Sequence, residues 1–308
     1  MSRVLVSGTK VVPLAAAIAA HLHDGDTLAI EGFTHLISFA AAHEVIRQGR
    51  RGLTLARLTP DLVYDQMVAA GCADRLIFSW LGNPGVGSLH AIRRAIEAGS
   101  LAIEEYSHHG MVARYAAGAS RLPFFPIRSY DGSDLASVNP AIRRVTSPYD
   151  GEEIAVVPPL HPDLAIIHAQ RADMTGNVQA WGIVGVQRDA ALAAKRVIAV
   201  VEELVDESVI RSDPDRTLLP GMVVDAVCVE PWGAHPSFAQ GHYDRDNRFY
   251  RDWDAISREP AGLERWLDQW VHRVASRAEY LERLGPDRLA SLRPAPRPSG
   301  SVDYGSYR

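Results

Sequence analysis

The sequence predicts an α/β fold, a mostly parallel sheet flanked by helices, and three observations carry that expectation. Short aliphatic and β-branched runs alternate with amphipathic stretches along most of the chain, which is the sequence form of βαβ units. Four strand-helix pairs fit within roughly the first 120 residues, and that spacing favours a doubly wound layer sandwich. At 308 residues the chain is long enough to bury a large core.

Taken in order, residues 11–23 carry apolar side chains at helical spacing and end at Asp24-Gly25. Residues 27–30 read as a buried strand and 32–34 as the turn at its carboxyl end. Helices are expected at 36–48, 62–70, 89–98 and 111–119, and strands at 52–58, 75–80 and 101–105. Residues 122–127 cannot be helical, because Pro123 and Pro126 remove amide donors and force their predecessors into extended geometry. The Ser, Asp, Gly, Asn and Pro of residues 128–151 predict an ordered surface excursion that leads into a strand at 153–157. Strands at 164–168, 178–180, 196–201 and 223–229 and a helix at 188–194 resume the alternation. After Phe249 the pattern is helical and charged. One domain is expected over residues 1–293, followed by a polar tail at 294–308 that does not pack on the core.

Composition excludes several classes. The 32 Lys and Arg against 37 Asp and Glu leave a net charge of −5 with no basic block, so nucleic-acid binding has no electrostatic support. No apolar run approaches the roughly 20 residues that cross a bilayer, and the opening residues lack the apolar length and cleavage pattern of a secretory leader. Cys72 and Cys228 stand far apart without CxxC context and read as buried thiols. A cytoplasmic protein is the expectation.

Ligands of open parallel sheets sit beyond the carboxyl ends of strands, so three turns are candidate site segments. The first is Gly32, Phe33 and Thr34, where a glycine permits close approach of backbone amides; an ordinary tight turn explains the same residues. The second is the loop with Asn83, Gly85, Gly87 and Ser88, which opens onto a helix and suits an anionic group. It lacks the Gly-Lys-Ser/Thr of a Walker loop and the spacing of a dinucleotide fingerprint. The third is Glu104-Glu-Tyr-Ser-His-His109, with Tyr106 and Ser107 as candidate contacts; Ser107 equally reads as a helix cap. His108 and His109 are adjacent and not spaced to share a metal, so no metal site is expected. Gln170 is expected just beyond a strand end and within reach of a ligand. His168 reads as a core or interface histidine, Asn177 as a turn residue, and Glu202 as structural.

The segment from Pro158 to Pro236, with Asp163-Leu-Ala-Ile-Ile-His-Ala-Gln170, Thr175-Gly-Asn177, Glu202-Glu203 and Pro220-Gly-Met222, resembles the A (alpha) subunits of glutaconate CoA-transferase, a family I CoA-transferase. The likeness runs from about Val11 to about Leu292 and includes Tyr243, Asp244, Arg245 and Leu284-Gly285. It implies the CoA-transferase α/β fold and a complex with a B (beta) subunit, α2β2 or larger. It also implies acyl-CoA and a small dicarboxylic or oxo acid as substrates, with coenzyme A as substrate and no permanently bound cofactor. The nucleophilic glutamate is expected on the B subunit, which argues against Glu31 in that role. Backbone donors for the acyl oxygen would come from this chain. Residues 31–37 lack the charged residues that follow Gly-Phe-Thr in the glutaconate enzyme, which points to a different acid. Two alternatives are a ring-opening acyl-CoA hydrolase of the same fold, as in steroid degradation, and a non-catalytic metabolite-binding module.

Overall fold

The computed structural model describes residues 8–294; the tail expected at 294–308 lies outside them except for Pro294. Seven strands form the parallel body of a nine-stranded sheet: β1 (Thr27–Glu31), β2 (Leu53–Ala56), β3 (Ala73–Phe78), β4 (Ala102–Glu105), β8 (Leu164–Ala172), β10 (Arg196–Leu204) and β12 (Ala226–Val229). Their spatial order is β4-β3-β2-β1-β8-β10-β12. The chain therefore winds outward in one direction through β4, returns, and winds outward in the other from β8. The reversal lies between β1 and β8, and in such sheets ligands bind beyond the carboxyl ends of the strands. Two short strands, β9 (Val178–Gln179) and β11 (Thr217–Leu219), extend the far end of β8 in antiparallel fashion.

Strand alternation sorts the side chains onto two faces. Leu28 and Ile30 of β1 join one core with α1 (Leu14–His21), α2 (Phe39–Arg47), α3 (Leu62–Ala69) and α4 (His90–Glu97). Ala29, Ala56 and Ala165 face the opposite way, where their small size admits α5 (His108–Ala119) and α7 (Gln187–Ala193) close to the sheet. Helices α9 (Asn247–Arg258) and α10 (Pro260–Leu267) close over the first face with Trp253 and Trp266 edge to face, their ring centroids 5.0 Å apart. Further helices are α8 (Glu207–Ser212), α11 (Arg277–Leu284) and α12 (Pro286–Ser291).

Several expectations change. Helix α1 begins at Leu14 rather than at residue 11, because Val11 pairs with Val227 and Pro13 occupies the N-cap position. The surface excursion at 128–151 is ordered, as expected, but holds a helical turn, α6 (Leu135–Val138), and a strand, β6 (Arg143–Thr146). With β5 (Phe125–Ile127) and β7 (Glu153–Val157), β6 forms a separate antiparallel sheet in the order β5-β7-β6, so the strand at 153–157 does not join the parallel one. Polar composition hid β6, since it is an edge strand whose residues are mostly exposed and carry no buried apolar alternation.

Candidate active site

A cavity of about 300 Å³ opens at the carboxyl ends of β1 to β4, lined by Phe33, Thr34, Thr59, Asp61, Trp80, Pro84 and His108. Each strand end supplies part of it: the turn after β1, the Thr59-Pro60-Asp61 link to α3, the loop after β3, and the first residue of α5. Phe33 and Trp80 stay partly exposed as its aromatic walls. The Trp80 ring lies where a Cβ on residue 82 would be, at 2.4 Å, so only glycine at 82 permits it.

The turn at 32–37 is held from all sides. Arg57, fully buried, donates to the Gly32 carbonyl at 2.8 Å and to the Asp61 carboxylate at 3.2 and 3.4 Å. Asp61 in turn caps α3 by accepting from the Val63 amide. Ser237 Oγ donates to the Thr34 carbonyl at 2.9 Å, the Leu36 amide donates to Phe238, and Gln187 donates to the carbonyls of Glu31, Leu36 and His168. Thr34 and Leu36 have left-handed φ values of 59° and 53°, a costly conformation for side chains other than glycine that these bonds maintain. Among the described residues the Phe33 and Thr34 amides and the buried Thr34 Oγ1 have no hydrogen-bond partner. They are uncommitted polar atoms of the turn beside the cavity-lining Phe33 and Thr34 side chains.

His35 is buried and not a base. Its Nδ1 donates to the Ile183 carbonyl and its Nε2 accepts from the Gln240 amide, a pattern that needs the neutral ring. Burial correspondingly lowers its pKa to about 4. Glu31, also buried, accepts from the Leu58 amide at 2.9 Å. Burial pushes its carboxyl up to about 7, against the downward pull of the Arg57 guanidinium.

The remaining candidates divide. Ser107 caps α5, its Oγ accepting from the Gly110 amide at 3.0 Å, as the capping reading expects. Tyr106 is buried with its hydroxyl on Glu104 and its ring under Arg114, so it faces the protein. Asn83 is buried and donates to the Tyr250 carbonyl at 2.7 Å, while Gly87 lies against Asp254 of α9. Gly85 has a φ of 75°, and Ser88 lines a different groove beside α4. This part of the loop therefore docks onto α9, and the loop presents only Trp80 and Pro84 to the cavity. Gln170 lies inside β8 rather than beyond it, fully buried, with its amide on the Trp181 backbone. The strand continues past 168 because β10 pairs with it along its whole length.

His168 is a core residue, its Nε2 2.7 Å from Glu202, which also accepts from the Trp232 amide and the Tyr243 hydroxyl. No cluster of three or more potential metal ligands occurs among the described residues. No described helix is long and apolar enough to cross a membrane. Cys72 and Cys228 are buried free thiols, pushed up by burial to about 11 and about 12. Thr59 and Asp61 were missed because the strand-end rule was not applied to β2; Trp80 and His108 follow β3 and β4, whose ends were considered, but neither was singled out as a contact.

Residues 11–230 match the family model for coenzyme A transferase. The chain is 50% identical over 278 residues to the A subunit of 3-oxoadipate CoA-transferase from Pseudomonas knackmussii, covering 89% of this chain and 98% of that one. It is 35% identical to the A subunit of glutaconate CoA-transferase from Acidaminococcus fermentans, over 94% of this chain and 96% of that one, and superposes on the crystal structure of that enzyme with a TM-score of 0.90. It is 30% identical to a cholesterol ring-cleaving hydrolase IpdA subunit of Mycobacterium tuberculosis, over 84% of this chain and 91% of that one.

Proposed function

The chain belongs to the coenzyme A transferase family as the A subunit of a heteromeric CoA-transferase, and on that premise we propose that it moves CoA between an acyl-CoA and a small dicarboxylic oxo acid, in an α2β2 or larger complex with a B subunit. The observation that carries this reading is the makeup of the cavity at the strand ends. It gathers aromatic walls and free amides, yet its one carboxylate, Asp61, is committed to Arg57 and to the cap of α3. The attacking carboxylate must come from elsewhere, and the B subunit supplies it.

In this mechanism the B subunit's glutamate attacks the thioester carbonyl, and the tetrahedral oxyanion collapses with loss of the CoA thiolate to give a mixed anhydride. The thiolate then attacks the glutamyl carbonyl, breaking the anhydride and releasing the first acid. The incoming acid attacks the glutamyl thioester, and CoA returns to the new acyl group by the same two steps in reverse, regenerating the glutamate. The Phe33 and Thr34 amides, held rigid by Arg57, Ser237 and Gln187, are the proposed donors to the oxyanion; such donors contribute because they need no rearrangement as charge develops. The 50% identical relative, named for 3-oxoadipate, supports a dicarboxylic oxo acid over glutaconate.

The test uses this chain purified with its B subunit. A transferase forms a new acyl-CoA, and turns over steadily, only when an acceptor acid is supplied, and it shows ping-pong kinetics. Steady consumption of a cyclic acyl-CoA with no acceptor, and no exchange with a panel of oxo and dicarboxylic acids, would instead place the chain with the ring-cleaving hydrolases.

A further inference from the structure

We infer that His108 binds the distal carboxylate of the substrate and thereby selects dicarboxylic acids over monocarboxylic ones, an inference that rests on the transferase reading above. The rest of the cavity wall offers no cation. Phe33, Trp80 and Pro84 are apolar, and Thr34 and Thr59 contribute only hydroxyls. Asp61 is an anion, and the Arg57 guanidinium that neutralises it is fully buried behind it, its Nη1 and Nη2 donating to Asp61 and the Gly32 carbonyl. Among the described residues, His108 is the only lining side chain able to carry a positive charge towards the cavity.

Its state fits that role. The buried histidines near the site are committed: His35 bridges Ile183 and Gln240, and His168 faces Glu202. The exposed His108 ring has no hydrogen-bond or ion-pair partner among the described residues, so it is free to donate an N–H, or a charge-assisted one when protonated. It is also the first residue of a 12-residue helix capped by Ser107, where the helix dipole adds to the attraction for an anion. The cavity lining combines two chemistries: the β1 turn, whose Phe33 and Thr34 amides have no partner among the described residues, and the imidazole at the start of α5, with the apolar Phe33 and Trp80 side chains beside them to contact an aliphatic chain. A diacid satisfies both ends. A monoacid leaves His108 without a partner. At about 300 Å³ the space lies at the small end of the range for ligand sites, roughly 300–1,000 Å³, which suits a short chain.

The test compares the A–B complex carrying His108→Ala, His108→Lys and His108→Glu, with His109→Ala as control, for transfer to a diacid and to the monoacid of equal chain length. For the diacid, His108→Ala should raise KM roughly tenfold to a hundredfold, the scale of losing a hydrogen bond to a charged group, with kcat and the monoacid KM nearly unchanged. His108→Lys should retain the preference for diacid, and His108→Glu should reverse it. His109→Ala should behave as wild type, since His109 does not line the cavity. Equal losses on both acids in all three variants, or an unchanged ratio, would overturn the assignment. A wild-type complex that transfers CoA to neither acid would instead refute the transferase reading beneath it, so the two failures are distinguishable.

Discussion

Replacing Gly32 with alanine tests whether the β1 turn is catalytic machinery or a mere connection. Gly32 does not need glycine for its backbone angles; the constraint is space. A Cβ there would sit 2.6 Å from the Leu36 carbonyl oxygen and 2.7 Å from that of His35, both backbone atoms that no rotamer change can move. Restoring ordinary contact at 3.4 Å requires a displacement of about 0.8 Å. The turn cannot move freely, because the carbonyls of Gly32, Thr34 and Leu36 are each held by another element. Overpacking of this kind costs roughly 1–3 kcal/mol of stability. Misplacing a preorganised donor by nearly 1 Å costs roughly 10²-fold in rate. Gly32→Ala should therefore assemble with the B subunit, unfold at a modestly lower temperature, and show a kcat reduced by about two orders of magnitude with little change in KM. Size-exclusion chromatography, thermal melts and steady-state transfer kinetics measure the three quantities. Wild-type kcat in an assembled Gly32→Ala complex would refute the placement of the oxyanion donors in this turn.

The isolated chain should show no CoA exchange between acyl-CoA and carboxylate, and activity should appear on adding the B subunit; robust transfer by this chain alone would make Glu31, Glu104 and Glu105 candidate nucleophiles. Glu31 should also shape the pH dependence of stability. Its folded pKa of about 7 lies above the ordinary 4.5, so its contribution is full below pH 4.5 and is lost as pH rises through 7, a change of roughly 3 kcal/mol at most. Glu31→Gln keeps an acceptor for the Leu58 amide, and denaturant titrations from pH 5 to 8 should show the wild type losing stability relative to this variant; parallel curves would contradict the buried neutral carboxyl. Arg57→Ala leaves Asp61 buried without its cation and should cost roughly 3–5 kcal/mol, whereas the double change Arg57→Met with Asp61→Leu should cost much less. Urea unfolding of the three proteins separates the cases, and equal losses would mean that the ion pair itself contributes little.

Much of the architecture was legible because it depends on local periodicity. The runs from Thr27, Leu53 and Leu101 are strands, and those from Leu62 and Leu89 are helices within a residue or two of expectation, since burial of one face imposes the pattern directly. Pro123 and Pro126 excluded helix for a chemical reason that no tertiary context reverses. The family resemblance was likewise readable, from the segment between Pro158 and Pro236, and the turn after β1 named from Gly32, Phe33 and Thr34 lies at the cavity.

Which of several polar strand-end residues face the cavity was decided by packing between distant segments. Asn83 and Gly87 looked like ligand contacts, yet α9, some 165 residues later, takes them as its own partners. Gln170 was displaced from the site because pairing with β10 carries β8 past His168, and Tyr106 because Arg114 lies over its ring. Conversely Asp61, Trp80 and His108 converge only because parallel pairing in the order β4-β3-β2-β1 brings four loops to one edge of the sheet. Periodicity specifies which face of an element is buried, and the sequence by itself determined that much. Which loops meet above the sheet depends on strand order and on what the C-terminal helices cover, and these are long-range choices that no short window of residues encodes.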